Sequence, residues 1–228
     1  MKPKALGKIA TDFGMTALLM LLMAFERVGR TAHEWIGIGI FLLFILHHIL
    51  NRNWSKNLFR GNYSPIRILQ TVSAALVLVT MLGSMVSAVL ISRQVFVFLP
   101  ISGGRAFGRS LHMLCAYWGF VLLSLHLGLH WNQMMGMAGR LCRHPSRLRR
   151  ILLRILGACI ALYGIYAFIS QGFPGYMFLQ NQFVFLDFDE PLIFLFLDYL
   201  AAMGLFVWLG HYLAWAVRRI PKKKANGK

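Results

Sequence analysis

Acidic side chains are scarce in this chain. Seven Asp and Glu stand against 24 Lys and Arg, and charged residues of both signs make up only 14% of its 228 positions. A soluble domain carries about a quarter, so a surface wetted on all sides is excluded. Cysteine is nearly as rare. Cys115, Cys142 and Cys159 form no CxxC and no CxxCH, which excludes a disulfide framework and that route to a covalently attached haem. Two of the three lie in apolar stretches and read as small packing residues. There is no GxGxxG after a strand and no P-loop, so a nicotinamide or nucleotide domain is excluded as well.

What the chain does have is long apolar runs, 58% hydrophobic residues in all. They carry neither strand alternation nor a one-sided helical stripe. Six blocks can be drawn: 12–28, 33–50, 68–92, 111–131, 151–171 and 191–217. Each is close to the roughly 20 residues that cross a bilayer as helix, and a closed barrel would need short alternating strands instead. The first follows Lys2, Lys4 and Lys8, as a signal peptide would. No small-x-small site follows it and five further spans do, so it reads as a retained helix. The predicted fold is therefore an all-α polytopic membrane bundle of six spans, a single domain over 1–217 with a basic tail at 218–228.

The basic residues orient it. Nineteen of the 24 lie before the first span, between spans two and three, between four and five, and after the sixth. The other loops hold five of the seven acids, Glu26, Glu34, Asp187, Asp189 and Glu190. The positive-inside rule then places both termini in the cytoplasm. The net charge of +17 is a membrane-surface charge that meets lipid headgroups, not a nucleic-acid footprint. The long outer loop from Gly172 to Glu190, rich in aromatics and acids, reads as a cap over the bundle or as a docking surface.

Seven of the eight histidines lie in or beside apolar blocks: His33, His47, His48, His112, His126, His130 and His211. Ionisable residues in spans are costly and are functional candidates by default. His33 and His47 are fourteen residues apart, and so are His112 and His126. Fourteen residues make four helical turns less about 40°, so the members of each pair share a face and stand about 21 Å apart along the axis. Spans two and four run in the same direction. His33 and His112 are thus both outer, and His47 and His126 both inner. Two helices so equipped can hold two porphyrins, each iron bound by two imidazoles. The predicted cofactors are two non-covalent haems b, one on His33 and His112, the other on His47 and His126.

This pattern resembles the di-haem core of cytochrome b and of ferric-reductase-type membrane proteins. The stretches AHEWIGIGIFLLFILHHILNRNW, LLSLHLGLHW and FDEPLIFLFLDYLAAMGLFVWLGHY are similar to the bacterial flavinylation-associated cytochrome family, a likeness spanning nearly the whole chain. It implies a multi-pass protein of the bacterial cell membrane that lacks soluble redox domains of its own. Such a protein passes electrons from a quinol or cytoplasmic reductase to an outer flavin-bearing partner. Some relatives are linked with haem response and oxidative-stress defence, which implies the alternative of a haem-sequestering or haem-sensing protein. A transporter would need broken helices or charged midplane sites, and the sequence shows neither.

Alternatives remain for the inner site. His48 lies about 60° off the face of His33, and His130 is co-facial with His112 but about 27 Å from it. Depth matching favours His47 with His126. His48, His130 and His211 then cluster near the inner surface, to serve a quinone or to hydrogen-bond there. His144 sits in a basic loop and reads as solvated. Gly37, Gly39 and Gly119 lie between the ligand positions, where a flat macrocycle needs close backbone approach. Arg105 and Arg109, just before His112, are placed to pair with outer propionates or simply with solvent. Asp198, in the outer half of the last span, is a proton relay or the partner of an outer arginine.

Overall fold

Helices end where the backbone is told to turn, and hydropathy does not fix where that is. The structure, a computed structural model, describes residues 3–101, 103–138, 146–181 and 191–220. Among these every regular element is helical: α1 (Pro3–Met23), α2 (Phe25–Val28), α3 (Arg30–Leu50), α4 (Arg52–Lys56), α5 (Pro65–Ile91), α6 (Arg105–Leu129), α7 (Trp131–Ala138), α8 (Arg147–Ser170), α9 (Phe173–Met177) and α10 (Leu192–Arg218). Six of them, α1, α3, α5, α6, α8 and α10, are long and apolar enough to cross a membrane. The chain is an all-α, multi-pass membrane bundle.

The first span starts at Pro3 rather than Asp12 and breaks at Ala24 instead of running on to Val28. The apolar run misled because the reversal is made by Gly29, at φ 81°, a conformation that glycine adopts without penalty. It lets α3 fold straight back along α1. Elsewhere helices overrun their apolar blocks by several residues, α6 beginning at Arg105 after Gly104 and α8 at Arg147. Polar helical turns at the headgroup level cost little, so helix length exceeds hydrocarbon thickness. Cys142, His144, the acids Asp187, Asp189 and Glu190, and most of the basic tail lie outside the described residues.

α6 packs against α5 on one side and α10 on another; α10 also packs against α8, while α1 and α3 form a separate pair. Side chains from α1, α3, α6, α9 and α10 meet in one apolar cluster that includes Met20, Ile40, Phe120, Phe173 and Tyr199. Phe173 is fully buried and Trp118 Nε1 donates to the Met177 carbonyl at 3.0 Å. The described start of the Gly172–Glu190 loop is therefore a cap on the outer end. Outward faces are as apolar as the interior, with Val79 and Leu162 left 65% and 68% exposed. In lipid this is expected, since apolar surface gains nothing by leaving it and helices associate by close packing.

That close packing is tight where α6 crosses α10. A Cβ on Gly128 would overlap the Val207 carbonyl oxygen, and one on Gly210 would overlap the Leu125 carbonyl oxygen. Glycine to alanine in an open helix stabilises by about 0.5–1 kcal/mol. Here the backbone contact reverses the sign. Gly210→Ala is expected to lose about 1–3 kcal/mol as an overpacked site, read as a lower melting temperature in detergent.

Asp198 is 5% exposed and accepts from Tyr163 Oη at 2.6 Å and Gln171 Nε2 at 2.9 Å. Neither donor is an arginine. The carboxylate ties α10 to the outer end of α8, which is a structural task in a place where an unsatisfied charge would be costly.

Candidate functional site

Serines on α5 position the histidines of α6. The two helices run antiparallel, and their facing residues fall into one register: Ser87 opposite His112, Thr80 opposite Gly119, Ser73 opposite His126. Ser73 and Ser87 are themselves fourteen residues apart, the same spacing as the histidines they meet. Ser87 is fully buried and Ser73 is 8% exposed.

At the outer end the bonding fixes a tautomer. Ser87 Oγ donates to the Ser84 carbonyl at 2.9 Å, so its proton is committed. His112 Nδ1 lies 3.1 Å from that Oγ and 3.2 Å from the same carbonyl, which can only accept. His112 therefore carries its proton on Nδ1, and its Nε2 bears a free lone pair. His33, near the start of α3, faces it: the ring centres are 6.1 Å apart and the planes 71° apart. Two imidazoles on opposite sides of one metal, with bonds of about 2 Å and ring nitrogens about 1 Å from each ring centre, would stand about 6 Å apart. The observed separation is of that size. His33 Nδ1 is buried without a hydrogen-bond partner, an unmet group that costs about 1–3 kcal/mol when left so.

The two histidine-bearing helices also leave room. α3 leans on α1 and α2, and its backbone stays clear of α6 along most of its length. A Cβ on Gly37 would meet nothing within 4 Å, so this glycine keeps open space on α3. The other two glycines serve helix contacts: Gly39 faces Leu18 of α1 at 3.4 Å and Gly119 faces Thr80 of α5 at 3.5 Å. Arg105 and Arg109 are exposed at the start of α6. Arg105 lines, with Ser92, Arg93 and Phe96, a cavity of about 320 Å³ between the end of α5 and α6. Among the described residues neither arginine hydrogen-bonds to His33 or His112.

The inner end is built differently. His47 Nδ1 donates to Asp12 Oδ1 of α1 at 2.7 Å, and its Nε2 accepts from Asn51 Nδ2 at 3.3 Å. Asn51 in turn accepts from Lys8 Nζ at 2.6 Å. His126 meets Ser73 Oγ at 3.1 Å and lies against His130 in a tilted ring contact at 4.7 Å. His47 and His126 lie within electrostatic reach of each other but not in ring contact. His48 is exposed, in tilted contact with Phe44 at 4.3 Å and edge-on to His47 at 5.6 Å, with Nδ1 donating to the Phe44 carbonyl. The His211 backbone lies beside Gly128 at the α6–α10 crossing, and its Nδ1 is buried without a partner. No three His, Cys, Asp or Glu side chains gather as a metal cluster among the described residues.

Sequence reasoning missed Asp12, Asn51, Ser73, Ser87 and the role of Glu34. The last accepts from Ser92 Oγ and from the amides of Arg93, Gln94 and Val95, at 2.7 to 3.1 Å, and so pins α3 to the loop after α5. Two signals were there to read: the fourteen-residue serine spacing, and an acid alone in an apolar block at Asp12. Comparison of the chain with protein-family profiles, curated proteins and solved structures gave no match. What fold and site define is thus a class: a six-span helical membrane protein with paired intramembrane histidines.

Proposed function

We propose that this protein is a di-haem b-type membrane cytochrome of the flavinylation-associated kind. It moves electrons from a quinol or reductase on its basic, cytoplasmic side to a flavin-bearing acceptor outside. The observation that carries the reading is the His33–His112 pair, whose 6.1 Å ring separation suits one metal between two imidazoles. His33 and His112 hold the outer haem, His47 and His126 the inner. A haem iron so ligated supplies reversible one-electron chemistry. The chain's own residues hold and orient the ligands: Ser87 and Ser84 fix the tautomer of His112, Ser73 seats His126, and the apolar bundle excludes water.

One observation favours the second reading, a single-haem protein that sequesters or senses haem. His47 Nε2 is taken by Asn51, so the inner ligands are not assembled as the outer ones are. Haem content decides between them. Protein purified from haem-supplied cells is expected to give two extractable haems per chain in a pyridine haemochrome assay. One per chain favours the second reading, and none rejects both.

A further inference from the structure

The histidines of the two sites do not have the same kind of partner. His112 Nδ1 gives its proton to neutral oxygens of Ser87 and Ser84. His126 Nδ1 meets the Ser73 hydroxyl, and His33 Nδ1 meets nothing. His47 faces a carboxylate, Asp12, at 2.7 Å, and among the described residues it is the one histidine that does.

Nothing else in the fold accounts for Asp12. An acid in a span is costly to keep. Lys8, one turn before it, makes no direct ion pair with it among the described residues; its ammonium donates to Asn51 Oδ1. α1 already packs on the core through Leu19, Met20 and Met23, without help from a polar contact. The outer site has an acid close by, Glu34 beside His33. That carboxylate acts on His33 through space but makes its hydrogen bonds to Ser92 and three backbone amides.

We infer that Asp12 is a positioning residue that makes the inner site the lower-potential one of the two. The inference rests on the two-haem reading above. Its chemistry is that of a carboxylate behind a ligating imidazole. Accepting from Nδ1–H, Asp12 fixes the tautomer that puts the lone pair on Nε2, where Asn51 Nδ2 now donates at 3.3 Å and would have to give way to a metal, and makes the ring a stronger electron donor. A more basic axial ligand and a nearby negative charge both favour ferric over ferrous iron, which lowers the potential. At the outer site neutral oxygens stand behind His112, and the group that bonds the His33 ring is the neutral Leu22 backbone. The order of potentials then runs downhill from the cytoplasmic side to the outer side.

A potentiometric titration of the full-length, haem-loaded protein tests this. Two one-electron midpoints are expected, and His112→Ala, which retains the inner haem, is expected to keep the lower one. Asp12→Asn preserves shape without the charge. It should raise the lower midpoint by enough to change the oxidised-to-reduced ratio at fixed potential at least tenfold, about 59 mV for one electron. The upper midpoint should not move. Asp12→Glu should keep the lower midpoint low, and the ferric low-spin resonance spectrum should change in Asp12→Asn alone. An unmoved lower midpoint, equal shifts in both, or loss of the inner haem from either variant overturns the inference while leaving the two-haem reading in place. A parent protein without two haems overturns that reading first, and this inference with it.

Discussion

His33→Ala and His112→Ala are each expected to leave the purified chain with half the haem of the parent protein. The outer pair has little redundancy. No other histidine of the described residues lies in ring contact with either member except the partner itself, and His112 Nε2 has no competing bond in the structure. Removing one imidazole leaves the other facing a gap about 6 Å wide, measured between ring centres for two metal–nitrogen bonds of about 2 Å. The inner pair stands about 21 Å away along the helices, so its haem should stay, with an unperturbed absorbance band. His47→Ala and His126→Ala should show the converse loss. His48→Ala should cost nothing, because its ring is exposed and lies against Phe44. Full haem content in both outer variants would reject the pairing. Loss in His48→Ala or His130→Ala, with none in His47→Ala or His126→Ala, would move the inner site to the other pair.

The second large effect is vectorial. In vesicles of known orientation, a reductant confined to the cytoplasmic side should reduce both haems, and an impermeant acceptor outside should reoxidise them. His112→Ala should leave the inner haem reducible and abolish outward transfer. The reason is depth. Two sites about 21 Å apart in a hydrocarbon core about 30 Å thick place one near each surface, which storage of haem does not require. Crossing the bilayer in one step from the inner site alone would be far slower. Outward flux that survives loss of the outer haem, or haems that no cytoplasmic donor reduces, would favour the sequestration reading.

Much of this was legible in the residues, for a reason specific to membranes. In lipid every backbone polar group must be satisfied within its own segment, so a long apolar run has only one structure open to it. That made six spans readable without any contact between them. The ends were less legible. Helix α1 starts well before its apolar block and breaks at Ala24, because ends are set by turn residues such as Gly29 and not by hydropathy. His47 and His48 are adjacent in sequence, and periodicity alone left both open. The structure separates them by what each touches, Asp12 on one side and Phe44 on the other.

The sequence by itself determined the number of spans, their alternating direction and the fourteen-residue spacing that sets two histidines at matching depths. The first two follow from the length of the apolar runs and the loops between them, and the last from 1.5 Å and about 100° per residue. Only the tertiary structure decided which rings meet, at what angle, and which oxygen stands behind each. Those facts depend on how one helix is rotated and slid against another. They join Ser87 to His112 across 25 positions, Asp12 to His47 across 35 and Ser73 to His126 across 53. No periodicity within one span encodes such distances, because they depend on how small residues pack between helices, Gly83 and Gly119 between α5 and α6, Gly14 and Gly39 between α1 and α3.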